Sequence, residues 1–127
     1  MSLQPARSPE ELGARFLERA NAGDVEGVLV LYEKDAALAF PPGQVTRGTA
    51  TIRQAYEQLL RPRPTFSGEV MPALICGDLA LTSTRFVATL AGPDGRPTAV
   101  ATATSEIARR QSDGSWLWVI DQPNVLG

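Results

Sequence analysis

Residues Phe16 to Leu59 constrain this chain more than any other stretch, because they read as helix, tight break, second helix, short strand, Pro-Gly loop and third helix. Ser8-Pro9-Glu10-Glu11 opens the first helix: Ser8 can cap, Pro9 suits the first helical position, and Glu11 can close a capping box. Leu12, Phe16 and Ala20 recur on one face, and Asn21-Ala22-Gly23 ends the helix, with Gly23 suited to a left-handed terminus. Asp24 caps the next helix, where Val25, Val28, Leu29 and Tyr32 have the spacing of a buried stripe. Asp35 to Phe40 has the length of a short strand, and Pro41-Pro42-Gly43 forces a turn. Gly48-Thr49 opens a third helix with Ile52, Tyr56, Leu59 and Leu60 on its apolar face, and Pro62 and Pro64 stop it.

From Thr65 the apolar period changes to two. The pattern predicts strands near Thr65–Ile75, Leu79–Ala91, Thr98–Arg109 and Ser115–Gln122, with Asp-Gly pairs in the last two connections marking hairpins. The result is an α+β chain, an antiparallel meander with three helices covering one face. Parity sorts the side chains. Ser83, Arg85 and Val87 share a face, as do Thr102, Thr104 and Glu106; Leu117, Val119 and Asp121 lie opposite Trp116, Trp118 and Ile120. Both faces carry apolar residues. A face bearing Phe86, Trp116, Trp118 and Ile120 is too apolar for water, so a sheet-to-sheet homodimer is expected.

The length of 127 residues suggests a single domain over residues 1–127, with residues 1–7 as a loose tail. A net charge of −2, with no basic stripe, argues against nucleic acid as a partner. No apolar run approaches the ~20 residues of a membrane span and no charged-then-apolar leader precedes the first helix, so a cytoplasmic setting is expected. Histidine is absent and Cys76 is the single cysteine, which excludes a Ser-His-Asp triad, a Cys-His pair and a His- or thiolate-built metal site. No metal and no cofactor is expected. General acids and bases must come from Asp, Glu, Tyr, Lys34 or Cys76. Asp78, Asp94 and Asp113 occupy turns, where Asp stabilises local backbone. Glu69, Glu106 and Asp121 fall within strands, where acidic residues are disfavoured; the plain reading of each is a side chain pointing to solvent, the alternative a role in a site.

The segments Phe16–Gly23, Tyr32–Ala37, Pro41-Pro42-Gly43, Arg47-Gly48, Ile52–Tyr56 and Asp113-Gly114-Ser115-Trp116, in that order, resemble the nuclear transport factor 2-like superfamily, and within it the SnoaL-like and ketosteroid isomerase-like group. The resemblance implies a cone-shaped, curved antiparallel sheet with three N-terminal helices enclosing one pocket. Ketosteroid isomerase uses an Asp base and an oxyanion site of Tyr and a protonated Asp. Carried over, the base position falls on Phe40, the Tyr position on Phe16 and the protonated-Asp position on Glu106, so steroid isomerisation by that route is not expected. The same resemblance turns Arg85, Val119 and Asp121 toward the pocket, and Asp121 resembles the acid/base residue of SnoaL-type cyclases. The expectation is a small-molecule lyase or isomerase whose catalytic carboxylates are Asp121 and Glu106, in an apolar pocket lined by Phe16, Tyr32, Phe40, Tyr56 and Val119. Arg85 either pairs with Glu106 or holds an anionic substrate, so the ligand is a small apolar or anionic molecule. The alternative is a non-catalytic ligand-binding or association module, favoured by a filled cavity or a satisfied Arg85–Glu106 pair.

Overall fold

The computed structural model describes residues 4–125. Helix α1 (Pro9–Asn21) starts as its sequence predicts: Ser8 is extended and its hydroxyl accepts from the Glu11 N–H. Helix α2 (Val25–Leu29) is capped by Asp24, which accepts from Gly27 N–H. The expected α2 stripe stops early. Tyr32 belongs instead to strand β1 (Tyr32–Leu38), because the backbone there pairs in parallel with the last strand and Leu31 O accepts from Trp118 N–H at 2.8 Å. A short β2 (Thr46–Arg47) follows the Pro-Gly loop and pairs with β1, and α3 (Thr49–Leu60) comes next.

The four long strands expected from the sequence are three broken ribbons and one intact strand. They form β3 (Thr65–Val70) and β4 (Leu74–Cys76), β5 (Leu79–Thr82) and β6 (Thr84–Ala91), β7 (Pro97–Ala103) and β8 (Ser105–Arg110), and β9 (Trp116–Gln122). Pro72, which has no N–H to give a ladder, lies between β3 and β4; the next free donor, Ala73 N–H, goes to the Glu10 carboxylate of α1. At the other two breaks Ser83 Oγ donates to Thr104 O, and Thr104 Oγ1 accepts from Thr84 N–H at 2.9 Å. Each ribbon therefore passes from a six-stranded sheet, ordered β2-β1-β9-β8-β5-β4, into a three-stranded sheet, β3-β6-β7. All pairings are antiparallel except β1 with β9. The two sheets curl around the helices, which is the cone-like α+β architecture the resemblance implied.

The core fills the concave side. Leu12, Val28, Leu31, Leu38, Ile52 and Trp118 are its most buried large side chains. Helix α1 lies close against the strands at Gly13, where a Cβ would stand only 2.7 Å from Thr84 Oγ1. Phe16, one turn on, packs against Tyr56, Phe66 and Trp118 with ring centroids about 6 Å apart.

Two expectations are corrected. Within the expected loose tail, residues 1–3 lie outside the described residues, but Ala6 is buried and bridges to Trp116, and Arg7 donates to Asp113 O. Trp116 and Trp118 are buried in the core at 5% and 1% exposure, not presented on an outer face, and Phe86 turns inward and is half-buried. The cause is in β9. Adjacent residues Ile107 and Ala108 of β8 pair with Ile120 and Trp118, which leaves Val119 as an extra, unpaired residue. Such a bulge reverses the alternation beyond it. Trp116, Trp118 and Asp121 thus share the interior, while Ile120 is 49% exposed.

The end of α1 is tied to the start of β3 by one amide. Asn21 Nδ2 donates to Phe66 O and Asn21 Oδ1 accepts from Phe66 N–H, at 2.9 and 2.7 Å. Replacing Asn21 by Ala leaves both backbone groups without this partner, and is expected to cost about 1–3 kcal/mol in urea unfolding, far more than Ala at the exposed Glu57 of α3.

Candidate functional site

Between α1, α3 and the two sheets lies a cavity of about 50 Å³. Its walls are apolar, with Phe16 from α1, Tyr56 and Leu59 from α3, Phe66 and Phe86 from the three-stranded sheet, and Trp118 from β9. Glu106 and Asp121 enter it side by side. They are direct cross-strand partners of β8 and β9, so their side chains leave the same face at adjacent positions. Both are buried, at 3% and 4% exposure.

The two carboxyls differ in how they are held: Asp121 has one oxygen bonded and one without a partner, while Glu106 is bonded by two threonines. Tyr32 donates to Asp121 Oδ2 and also contacts the Tyr56 hydroxyl. Tyr32 has a single hydroxyl proton, so Tyr56 must donate to Tyr32 and Tyr32 to Asp121. Burial, and the charge of Asp121, raise both tyrosines well above the usual phenol value and keep them protonated as donors. Asp121 Oδ1 is buried and has no hydrogen-bond partner. On the other side, Trp118 Nε1–H donates to Thr82 Oγ1 at 3.1 Å, and Thr82 Oγ1 donates to Glu106 Oε1 at 2.7 Å.

Among the described residues no cation balances the pair. Arg85 is exposed on the opposite side of β6, since its neighbours Thr84 and Phe86 point inward and side chains alternate. The expected Arg85–Glu106 pair does not form, and with it goes the support for an anionic ligand. Burial pushes Glu106 up to about 8, with the nearby Asp121 charge adding to it and hydrogen bonds from Thr104 and Thr82 opposing it. Burial pushes Asp121 up to about 7, against the Tyr32 hydrogen bond. Among the described residues no group of three or more His, Cys, Asp or Glu side chains gathers as a metal site.

Of the residues singled out in the sequence, Phe16, Phe40, Tyr56, Glu106 and Asp121 line the cavity, and Tyr32 reaches it through Asp121. Arg85 and Val119 do not: Arg85 is on the outer surface and Val119 is the bulge residue. Sequence reasoning missed Thr82, Thr84, Thr104, Phe66, Phe86 and Trp118. The parity of Thr82, Thr84 and Phe86, opposite to Arg85, was the available signal for three of them.

The cavity continues into a groove of about 550 Å³ that shares Phe40, Leu59, Phe66, Phe86 and Pro123 with it and adds Ala88, Val100 and Pro42. Among the described residues no helix is long and apolar enough to cross a membrane.

Residues 14–118 match the family model of the SnoaL-like domain, which is most of the chain, and the chain belongs to that family. Its fold is similar to that of a ketosteroid isomerase-like protein from Erwinia carotovora atroseptica, with a TM-score of 0.80 and 18% identity over 93% of this chain and 94% of that one. It is similar to a proposed dehydratase of the NTF2-like family from Streptomyces avermitilis, with a TM-score of 0.76 and 16% identity over 92% and 93% of the two chains. A protein of unknown function from Mycobacterium tuberculosis is 25% identical with a TM-score of 0.73; the match covers 89% of this chain but only 66% of that one. These likenesses establish the NTF2-like fold.

The raised carboxyls make stability depend on pH. A carboxyl with a folded value above its unfolded value binds more protons when folded, so stability is complete below the unfolded value and is lost as pH rises through the folded one. Stability is therefore expected to fall between pH ~4 and pH ~8 and to level off above, at up to about 1.4 kcal/mol per pH unit for each carboxyl. Thermal melts across this range check it, and the Glu106→Gln/Asp121→Asn double variant is expected to flatten the decline.

Proposed function

We propose that this SnoaL-like protein is a small-molecule lyase or isomerase in which Asp121 and Glu106 move a proton to and from a substrate held in the apolar cavity. The observation that supports this is the pair itself: two buried, adjacent carboxyls with no counter-cation among the described residues, one of which, Asp121, keeps an oxygen without a partner. A general base works best with a value near the working pH, and burial has moved both groups there. Asp121, the lower of the two, takes the proton at Oδ1. Glu106, the higher of the two, keeps its proton and donates it to the oxygen where charge develops. The Tyr56–Tyr32 chain strengthens as Asp121 becomes ionised. The small cavity admits only the reacting end of a substrate, and the groove lined by Phe40 and Phe86 takes the apolar remainder. Of the similar structures, one is named for an isomerase and another for a dehydratase, a kind of lyase. The second reading, a non-catalytic binding module on the same scaffold, draws on the small size of the cavity.

The elimination of 5-nitrobenzisoxazole, which begins with removal of a carbon-bound proton, gives a colour readout of a base in an apolar site. Asp121→Asn is expected to slow it by roughly 10²-fold or more, the scale of losing a general base. Glu106→Gln is expected to fold normally, since no guanidinium depends on it. Equal rates for the wild type and the double variant would leave the binding module as the better reading.

The same reading includes a homodimer and a reducing, cytoplasmic setting, the latter suited to the lone, exposed Cys76. The apolar surface is not the one read from the sequence. Direct cross-strand pairing sets Leu74, Leu81, Ile107 and Ile120 in one row across the outer face of the six-stranded sheet, and three of the four are exposed by 48–70%. A sheet-to-sheet contact on this row buries on the order of 800 Å² per subunit. Sedimentation at micromolar concentration is expected to give a dimer, and Ile120→Asp a monomer.

A further inference from the structure

We infer that the cavity binds an organic ammonium ion, its charged head between Asp121 and Glu106 and its apolar body in the adjoining groove. This rests on the reading of the cavity as the ligand site and adds the charge the ligand carries.

The groups facing the head are few. Helix α1 offers Phe16 and Leu17, α3 offers Tyr56 and Leu59, and β6 offers Thr84 and Phe86; among the described residues the ionisable groups besides the two carboxyls are the hydroxyls of Tyr32 and Tyr56. Among the described residues no lysine or arginine lines the cavity. An anionic ligand would meet two carboxyls and no cation. A neutral ligand would leave the pair as it is, with the charge of Asp121 working against that of Glu106. An ammonium group relieves both problems at once. Its N–H groups can donate to Asp121 Oδ1, which is more than nine-tenths buried and has no partner among the described residues, with the Glu106 carboxyl beside it as a second acceptor. The surrounding rings of Phe16, Tyr56, Phe66, Phe86 and Trp118 supply the faces that attract a desolvated cation. The size also agrees: about 50 Å³ suits a head little larger than a water molecule, while the groove of about 550 Å³ has room for a ring or chain. With one carboxyl serving as counter-ion, the other still exchanges a proton, so the ligand class is compatible with the proposed chemistry.

Three molecules of one skeleton test it by calorimetry or by Trp118 fluorescence: 2-phenylethylamine, 2-phenylethanol and phenylacetate. At pH 8.5 the amine is expected to bind at least roughly tenfold more tightly than the alcohol, with phenylacetate weakest. Amine affinity is expected to fall by at least roughly tenfold at pH 5.5, where binding must expel a proton from the pair. Asp121→Asn is expected to erase the preference for amine over alcohol, with its folding checked by thermal melt. An alcohol bound as tightly as the amine, a preference for phenylacetate, or no binding of any of the three up to millimolar concentration would overturn the inference. The uncharged nitrobenzisoxazole separates this failure from that of the acid/base reading. Elimination that still depends on Asp121, in a protein indifferent to amines, removes the ammonium ligand alone; loss of both removes the reading as well.

Discussion

One extra residue in β9 decides what this protein keeps inside. Val119 has no partner on β8, and the strand resumes its alternation one position late. Without it, Trp118 and Asp121 would lie on opposite faces. With it, both face the helices, and Asp121 stands beside its cross-strand partner Glu106. Bulges redirect side chains in this way at functional positions of sheets, and every feature of the cavity follows from this one.

Once the two carboxyls are adjacent and enclosed, the surroundings determine their behaviour. A buried carboxyl is tolerated when it is neutral, paired or well hydrogen-bonded. Here pairing with a cation is excluded, because the nearest arginine along β6 alternates outward. Hydrogen bonds hold both groups: Tyr32, backed by Tyr56, donates to Asp121, and Thr82, backed by Trp118, bonds Glu106 together with Thr104. These donors are fixed by packing against Phe16 and Trp118. What they leave free is Asp121 Oδ1, in an aromatic space where protonation is balanced near neutral pH.

The sequence carried the fold well and the site in part. Caps at Ser8 and Asp24, the prolines after α3 and the Asp-Gly turns are local signals, and the structure uses them where they stand. The breaks at Ser83 and Thr104 were invisible, because a strand that bends into a second sheet keeps its period of two. Tyr32 fell at the correct spacing for α2, yet pairing with β9, far along the chain, made it a strand residue. Glu106 and Asp121 were recognisable as acidic residues inside strands. The family resemblance turned both Arg85 and Val119 inward: Arg85 against its alternation with Thr84 and Phe86, and Val119 because sharing a face with Asp121 leaves no room for a bulge. The outer apolar row was missed for the same reason, since parity had assigned the tryptophans to it.

Titration of the side-chain carboxyl carbons of Asp121 and Glu106 by ¹³C nuclear magnetic resonance tests the central claim most directly. Both are expected to titrate near neutrality, Asp121 around 7 and Glu106 around 8, with each curve displaced when the other residue is replaced by its amide. Two independent titrations below pH ~5, the range of ordinary carboxyls, would contradict the account of a buried, uncompensated pair.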